Sequence, residues 1–164
     1  MSAGLAEDRP YRVAVIGAAD ASESEYAMAE ALGRALAENG AVVICGGHGG
    51  VMEAAARGAA DAGGLTVGIL KGSDPRDANP WIKLPLPTGM ADARNALVAA
   101  AAEVAVAVGG SWGTLSEIAL TRKMGREVAT LGDPPAQGLG LAPMESPEAA
   151  ARWAIERASV FRLG

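Results

Sequence analysis

The sequence predicts an α/β domain with an open, mostly parallel sheet and helices on both faces. Three observations carry this. Tyr11–Gly17 (YRVAVIG), Ala41–Cys45 (AVVIC), Leu65–Leu70 (LTVGIL) and Val104–Val108 (VAVAV) are short runs dense in valine and isoleucine, the pattern of strands buried on both faces. Segments of helical periodicity alternate with them across short connections. The first, second and fourth runs end in small-residue turns, at Gly17-Ala18-Ala19, Gly46–Gly50 and Gly109–Thr114. In such sheets ligands lie above the carboxyl ends of the strands, where strand order reverses, so three such turns predict one shared rim.

Met1–Pro10 carries Glu7, Asp8 and Arg9, lacks an apolar core and reads as a mobile tail rather than a signal peptide; residues 11–164 form one domain. After the first strand, Ser22 with Glu25 fits a capping box that starts a helix near Glu23. Its apolar face is Tyr26, Ala29, Leu32, Gly33 and Leu36. Glu30 and Arg34 are spaced to pair one turn apart, and Asn39-Gly40 closes the helix. The second strand leads through Gly46–Gly50 into a helix over Val51–Ala62, stopped by Gly63-Gly64 before the third strand. Lys71–Pro80 is polar and turn-rich and reads as a surface loop. Trp81–Pro87 holds a short strand whose Pro85 and Pro87 suit a sheet edge. Thr88 or Gly89 caps a helix over Met90–Ala102, which feeds the central strand. A helix over Thr114–Met124, a strand at Arg126–Leu131 and a short strand within Leu139–Met144 follow. Ser146-Pro147-Glu148 opens the last helix, Ala149–Ala158, with serine as cap and proline at the first position.

Composition narrows the function classes. The 164 residues carry a net charge of −5 and no basic block, which argues against general affinity for nucleic acid. Anion binding has to be local. A single cysteine, Cys45, fits a reducing cytoplasm and gives neither an intramolecular disulfide nor a thiolate cluster; a single histidine, His48, excludes metal sites built from paired histidines. No metal is therefore expected and no resident cofactor is required. The runs Ala96–Ala102 and Val104–Val108 are split by Glu103 and too short to span a bilayer, so no membrane partner is expected.

The candidate chemistry gathers at the three turns. Gly109, Gly110 and Gly113 leave the main chain open, so an anion can approach the amides of Ser111–Thr114 and the positive end of the following helix. A tight strand-to-helix turn explains the same glycines equally well. The dinucleotide fingerprint and the P-loop are both absent: Gly17-Ala18-Ala19-Asp20 lacks the later glycines, and no glycine loop ends in Gly-Lys-Ser/Thr. Arg94, expected about a turn inside its helix, is disfavoured there by the dipole and calls for a negative partner, although a solvated role is the ordinary one. Asn95 beside it can bond a ligand or the backbone. Glu117 has two readings, the closing residue of a capping box begun by Thr114, or a carboxylate one turn above the phosphate cradle. Glu53 has the same two readings with less support. His48 and Trp112 sit within glycine turns, where their rings can stack on a base or cover the core; the Met90 side chain packs or lines the ligand.

At these residues the chain resembles the LOG (Lonely Guy) superfamily, whose members are often misnamed lysine decarboxylases, and within it the branch of the molybdenum-cofactor carrier proteins. The matching stretches are Gly46–Ala60 (GGHGGVMEAAARGAA), Thr88–Ala96 (TGMADARNA) and Val108–Ile118 (VGGSWGTLSEI), and the likeness covers nearly all of Arg12–Ala158. It implies a Rossmann-like domain, a homodimer or larger homo-oligomer, and a nucleotide-type or molybdopterin-type ligand bearing phosphate. In the cytokinin-activating members, which cleave a nucleoside 5′-monophosphate to free base and ribose 5-phosphate, the Pro-Gly-Gly-x-Gly-Thr-x-x-Glu motif is similar to Gly109–Glu117. Gly109 stands in place of its proline and Ser111 in place of its second glycine. The resemblance sets the catalytic roles on Arg94 and Glu117; Asn95 replaces the lysine that normally follows the arginine, a departure that matches the carrier-like branch. The expected ligand-binding set is Gly17 and Ala18; Gly46, Gly47, His48, Gly49 and Gly50; Met90, Arg94 and Asn95; and Gly109, Gly110, Ser111, Trp112, Gly113 and Thr114. Phosphate falls to Gly110, Ser111, Gly113 and Thr114, with Arg94 pairing with ligand charge. An enzyme, a binding protein and an oligomeric interaction module all remain open at this point.

Overall fold

A computed structural model describes residues 8–164; the expected Met1–Pro10 tail lies mostly outside the described residues. The strands are β1 (Arg12–Gly17), β2 (Val42–Cys45), β3 (Thr66–Leu70), β4 (Leu84–Pro87), β5 (Val104–Val108), β6 (Val128–Leu131) and β7 (Ala142–Pro143). They form one sheet in the order β4-β3-β2-β1-β5-β6-β7. Every pairing is parallel, as the alternation of strands and helices predicts. Five helices connect them: α1 (Glu23–Glu38), α2 (Val51–Asp61), α3 (Asn95–Ala101), α4 (Trp112–Lys123) and α5 (Pro147–Leu163). The chain winds outward from β1 to β4, then returns to place β5 on the other side of β1, so the order reverses between β1 and β5.

Two apolar layers sandwich the sheet. Val13 and Val15 of β1 and Val104, Val106 and Val108 of β5 face Ala29, Leu32 and Leu36 of α1, Ala54, Ala55 and Ala59 of α2, and Ala150, Ala154 and Ala158 of α5. The alternate residues, Ala14, Ile16, Ala105 and Ala107, face Val98 of α3 and Ile118 of α4. Because the central strands are buried on both faces, they carry no polar alternation, which is why they read as continuous apolar runs.

Helix α1 opens with the expected capping box: Ser22 Oγ accepts from Glu25 N at 3.1 Å, and Ser22 N donates to Glu25 Oε2 at 2.9 Å. The expected Glu30–Arg34 pair does not form. Glu30 pairs with Arg57 and Arg34 with Asp61, each at 3.7 Å, so both bridges run to α2. The reason is how closely the helices approach. A Cβ on Gly33 would overlap the Ala55 carbonyl, and one on Gly58 would overlap that of Glu30. At that separation the facing helix offers opposite charge as readily as the next turn does.

The segment expected as one helix over Met90–Ala102 begins instead with a 3-10 turn, Ala91–Arg94, before α3. Ala91 is the one non-glycine among the described residues with positive φ, at 51°, and its N–H bonds Lys71 O at 3.0 Å. Arg94 therefore sits at the N-cap of α3 rather than a turn inside it. Helix α4 starts two residues earlier than expected, with Ser111 as N-cap; Ser111 N donates to Thr114 Oγ1 at 3.2 Å. Glu117 thus takes no part in capping. Ser146 caps α5 through Ala149 N at 3.1 Å, as predicted, but the helix continues to Leu163. Its last turn is held because Arg162 donates to the carbonyls of Arg9 and Pro10, both at 2.6 Å, and binds Glu103.

Candidate functional site

The C-terminal ends of β2, β1 and β5 are neighbours, so the three small-residue turns do converge on one rim. Beside the reversal point is a cleft of about 500 Å³, walled by Gly17–Ala19, Met52, Lys71, Asp92, Arg94, Asn95, Ser111–Thr114, Ser116 and Glu117. Of the expected residues, Gly17, Ala18, Arg94, Asn95, Ser111, Trp112, Gly113, Thr114 and Glu117 are brought together here.

One wall is the first turn of α4. The leading amides of a helix have no partner within it, and the dipole favours negative charge beside them. Gly113 has open space where a side chain would project, with no atom within 4 Å. Trp112 is 86% exposed at the cleft mouth, so the reading in which it covers the core is excluded.

Arg94 forms the floor. It is only 3% exposed; Nη1 donates to Ile69 O at 3.0 Å, and Nε is buried without a partner. A buried guanidinium with an idle donor is costly unless something binds it. Burial lowers its pKa, with the Glu117 charge opposing that shift, and an arginine remains protonated even so. Asn95 Nδ2 donates to Ser116 Oγ at 2.9 Å, and Ser116 Oγ to Gly113 O at 2.7 Å, which ties the start of α3 to the first turn of α4.

Glu117 is 7% exposed and its carboxylate has no hydrogen-bond partner among the described residues. Burial pushes its pKa up to about 7, against the pull of Arg94 and Lys71. No salt bridge joins Glu117 to Arg94, yet each feels the other's charge. The cleft thus holds a carboxyl group poised between its two protonation states near neutral pH, beside a permanent cation.

The remaining expected residues do not line this cleft. The Gly46–Gly50 turn supports it from behind: Val51 N donates to Ala18 O at 3.0 Å, and a Cβ on Gly50 would overlap Ala18 and Ala19. Gly46 lies against the Arg94 guanidinium and Gly47 against Gly68 and Leu70. Gly49 is half-buried beside Ala19 O, 3.5 Å from where its Cβ would be. His48 is half-buried, with Nε2 unpartnered; burial, then Arg94 and Lys71, lowers its pKa and keeps it neutral. Gly109 N is committed to Leu131 O at 2.9 Å and the residue faces Glu25, so its amide is not open to an anion. Gly110 turns against Thr114. Met90 is 45% exposed outside the cleft.

Sequence reasoning missed Lys71 and Asp92, which pair at 2.6 Å on the cleft wall. Lys71 is the first residue after β3, and the rule that strand carboxyl ends carry function applies to it as much as to the glycines. It also missed Asn79, which fixes the Gly46–Gly50 turn by donating from Nδ2 to His48 O and from N to Gly47 O, both at 2.8 Å. The Asn79-Pro80 pair marks a turn but not its long-range role.

Fold and site define a Rossmann-like α/β domain with a cleft at the switch point of its sheet. The model of the SLOG cluster4 family matches residues 10–154, and the chain belongs to that family. It is 41% identical over 147 residues to an uncharacterized protein of Archaeoglobus fulgidus, covering 88% of this chain and 94% of that one. Among solved structures it is similar to the molybdenum cofactor binding protein of Rippkaea orientalis, at 31% identity and TM-score 0.83, covering 89% of this chain and 96% of that one. It is also similar to the Moco carrier protein of Chlamydomonas reinhardtii, at 31% identity and TM-score 0.82, covering 93% of this chain and 99% of that one. The LOG-like superfamily and its carrier-protein branch, expected from the motifs, are thereby established.

Proposed function

We propose that this protein binds a small phosphate-bearing ligand, of nucleotide or molybdopterin type, in the cleft between α3 and α4. The observation that carries the reading is Arg94, a buried guanidinium with an unpartnered Nε, set against a Cβ-free Gly46 and beside the open first turn of α4. The amides of Trp112 and Gly113 take the phosphate, since those of Ser111 and Thr114 are used in the capping box of α4; Arg94 meets further ligand charge from below, and Trp112 covers the ring of the ligand. Similarity to proteins described as molybdenum cofactor carriers supports the molybdopterin form. Calorimetric titration with nucleoside monophosphates and with molybdopterin tests this. Gly113→Asp is the variant of choice, because Gly113 has room for a side chain and acidic residues suit a helix start. Saturable binding by the wild type and at least a tenfold loss in Gly113→Asp are expected; equal affinity in the two would refute the reading.

A second reading, hydrolysis of a nucleoside 5′-monophosphate to base and ribose 5-phosphate, is favoured by Glu117. A carboxyl group with pKa about 7, facing the cleft without a partner, suits water activation as the C1′–N bond breaks, with the water hydroxyl going to C1′ and its proton to the base. Release of ribose 5-phosphate that disappears in Glu117→Gln would establish turnover. Binding without release leaves the carrier reading.

We also infer self-association. Only α3 and α4 cover one face of the sheet, and Leu84, Leu86, Met90 and Leu97 are each 38–46% exposed there. Exposed apolar side chains on a thinly covered sheet face suit an interface between copies of the chain, and sedimentation equilibrium reports whether the protein is a dimer or larger. No described helix is long and apolar enough to cross a membrane. The buried free thiol of Cys45, with a pKa pushed up to about 12, suits the reducing cytoplasm we assign it.

A further inference from the structure

We propose that Lys71 is a second anion-binding group of the cleft, held in reserve by Asp92, and that it makes the protein select ligands carrying a second anionic group well separated from the first. This rests on the ligand-binding reading above.

The argument starts from the sheet. Lys71 leaves the end of β3, whereas the first turn of α4 leaves the end of β5, and β2 and β1 lie between them. Three strand spacings separate the two, about 14 Å laterally. The two backbone roots thus stand well apart along the rim, and the lysine side chain decides how near its ammonium comes to that turn. Arg94 fills the interval, since its Nη1 bonds Ile69 O near the end of β3 while its flank meets Gly46 at the end of β2. The cleft is thus elongated, with a helix start at one end, an ammonium at the other and a buried guanidinium with an idle Nε between them.

The root of Lys71 is fixed and its tip is free to move. Ala91 N bonds Lys71 O at 3.0 Å and Gly89 N bonds Gly72 O at 2.9 Å, which anchors the backbone. The Nζ rests 2.6 Å from Asp92 Oδ1, and the two side chains are 47% and 83% exposed. A solvated pair of this kind holds little free energy, so a ligand anion can take the lysine from the aspartate. Glu117 and His48 both feel the Lys71 charge. Among the residues lining the cleft its cationic companion is Arg94; Asp92 offsets Lys71, while Glu117, only partly ionised near neutral pH, offsets Arg94 in part. Net attraction for a second anion therefore depends on Lys71 leaving Asp92.

Adenosine 5′-diphosphate and adenosine 3′,5′-bisphosphate are isomers, one with adjacent phosphates and one with phosphates on opposite sides of the ribose. Titration calorimetry with both, and with the guanosine, cytidine and uridine counterparts, compares the two spans at equal phosphate number, and adenosine 5′-triphosphate, whose charge near neutral pH is about that of the bisphosphate, controls for total charge. The wild type is expected to bind a 3′,5′-bisphosphate at least tenfold more tightly than the isomeric 5′-diphosphate. Lys71→Met should bring that ratio near one. Asp92→Asn should raise affinity for the bisphosphate several-fold, because it releases the lysine. A pair that merely props the wall would weaken binding from either side, so opposite signs in the two variants are the signature. Equal affinity for the isomers, or loss in both variants, would overturn the inference and leave the ligand-binding reading standing. If no nucleotide in the panel binds, the nucleotide form of that reading falls and this inference with it.

Discussion

Gly46 and Arg94 compete for one volume: a methyl group on Gly46 would overlap the arginine's guanidinium and press on Met52 Sδ at 2.6 Å. The glycine is therefore a requirement of the site floor rather than of the turn alone. Gly46→Ala should displace Arg94 from Ile69 O, lower ligand affinity at least tenfold and cost about 1–3 kcal/mol of stability through overpacking. Comparing its ligand titration with that of Arg94→Ala checks this, and the two losses should be similar.

Glu117 should make stability depend on pH in a direction opposite to most carboxylates. Its folded pKa, about 7, lies above its ordinary value of 4.5, so its contribution is fully present below 4.5 and is lost as pH rises through 7. Glu117→Gln keeps the shape without the charge. In urea unfolding the variant should exceed the wild type in stability at pH 8 by up to about 3 kcal/mol, and the difference should shrink toward zero near pH 4.5.

Glu103 should behave in the opposite sense. It is 2% exposed beneath β1 and accepts from Arg12 and Arg162. Burial raises its pKa, but the hydrogen bonds from Arg12 and Arg162 overcome that and hold it below the usual range. Its stabilisation is present above the ordinary carboxylate pKa and disappears as pH falls through the lowered folded value. Glu103→Ala should cost about 2–3 kcal/mol at neutral pH, since the carboxylate is buried while the partly exposed arginines can be resolvated. The penalty should narrow in acid, as thermal unfolding at several pH values will report.

Ala91 sits at φ 51° next to the Lys71–Asp92 pair. A left-handed alanine is strained by about 1 kcal/mol, and glycine relieves it at some entropic cost in the unfolded chain. Ala91→Gly should raise stability by about 0.5 kcal/mol, measured as a shift in urea midpoint at unchanged slope.

Much of the architecture was legible because local chemistry speaks for it. Four central strands are buried on both faces and so carry their identity in composition. The Ser22–Glu25 and Ser146 caps depend only on neighbours in the chain. Errors fell where distant groups compete with local ones. Glu30 and Arg34 turned to α2 because two glycines let the helices close. Thr114 bonded back to Ser111, which left Glu117 outside the cap. The Met90–Ala102 helix was interrupted where Ala91 is pinned to Lys71.

The sequence by itself determined a parallel sheet, three small-residue turns at its carboxyl rim, and the family likeness carried by Gly46–Ala60, Thr88–Ala96 and Val108–Ile118. Periodicity and glycine placement are properties of neighbouring residues, so they survive without coordinates. Tertiary structure alone decided that Arg94 is buried with an idle donor, that Glu117 titrates near neutrality, that Gly109 is spent on Leu131, and that Lys71 belongs to the cleft. Each of these depends on desolvation or on a partner more than twenty residues away, and strand order is what brings such partners together.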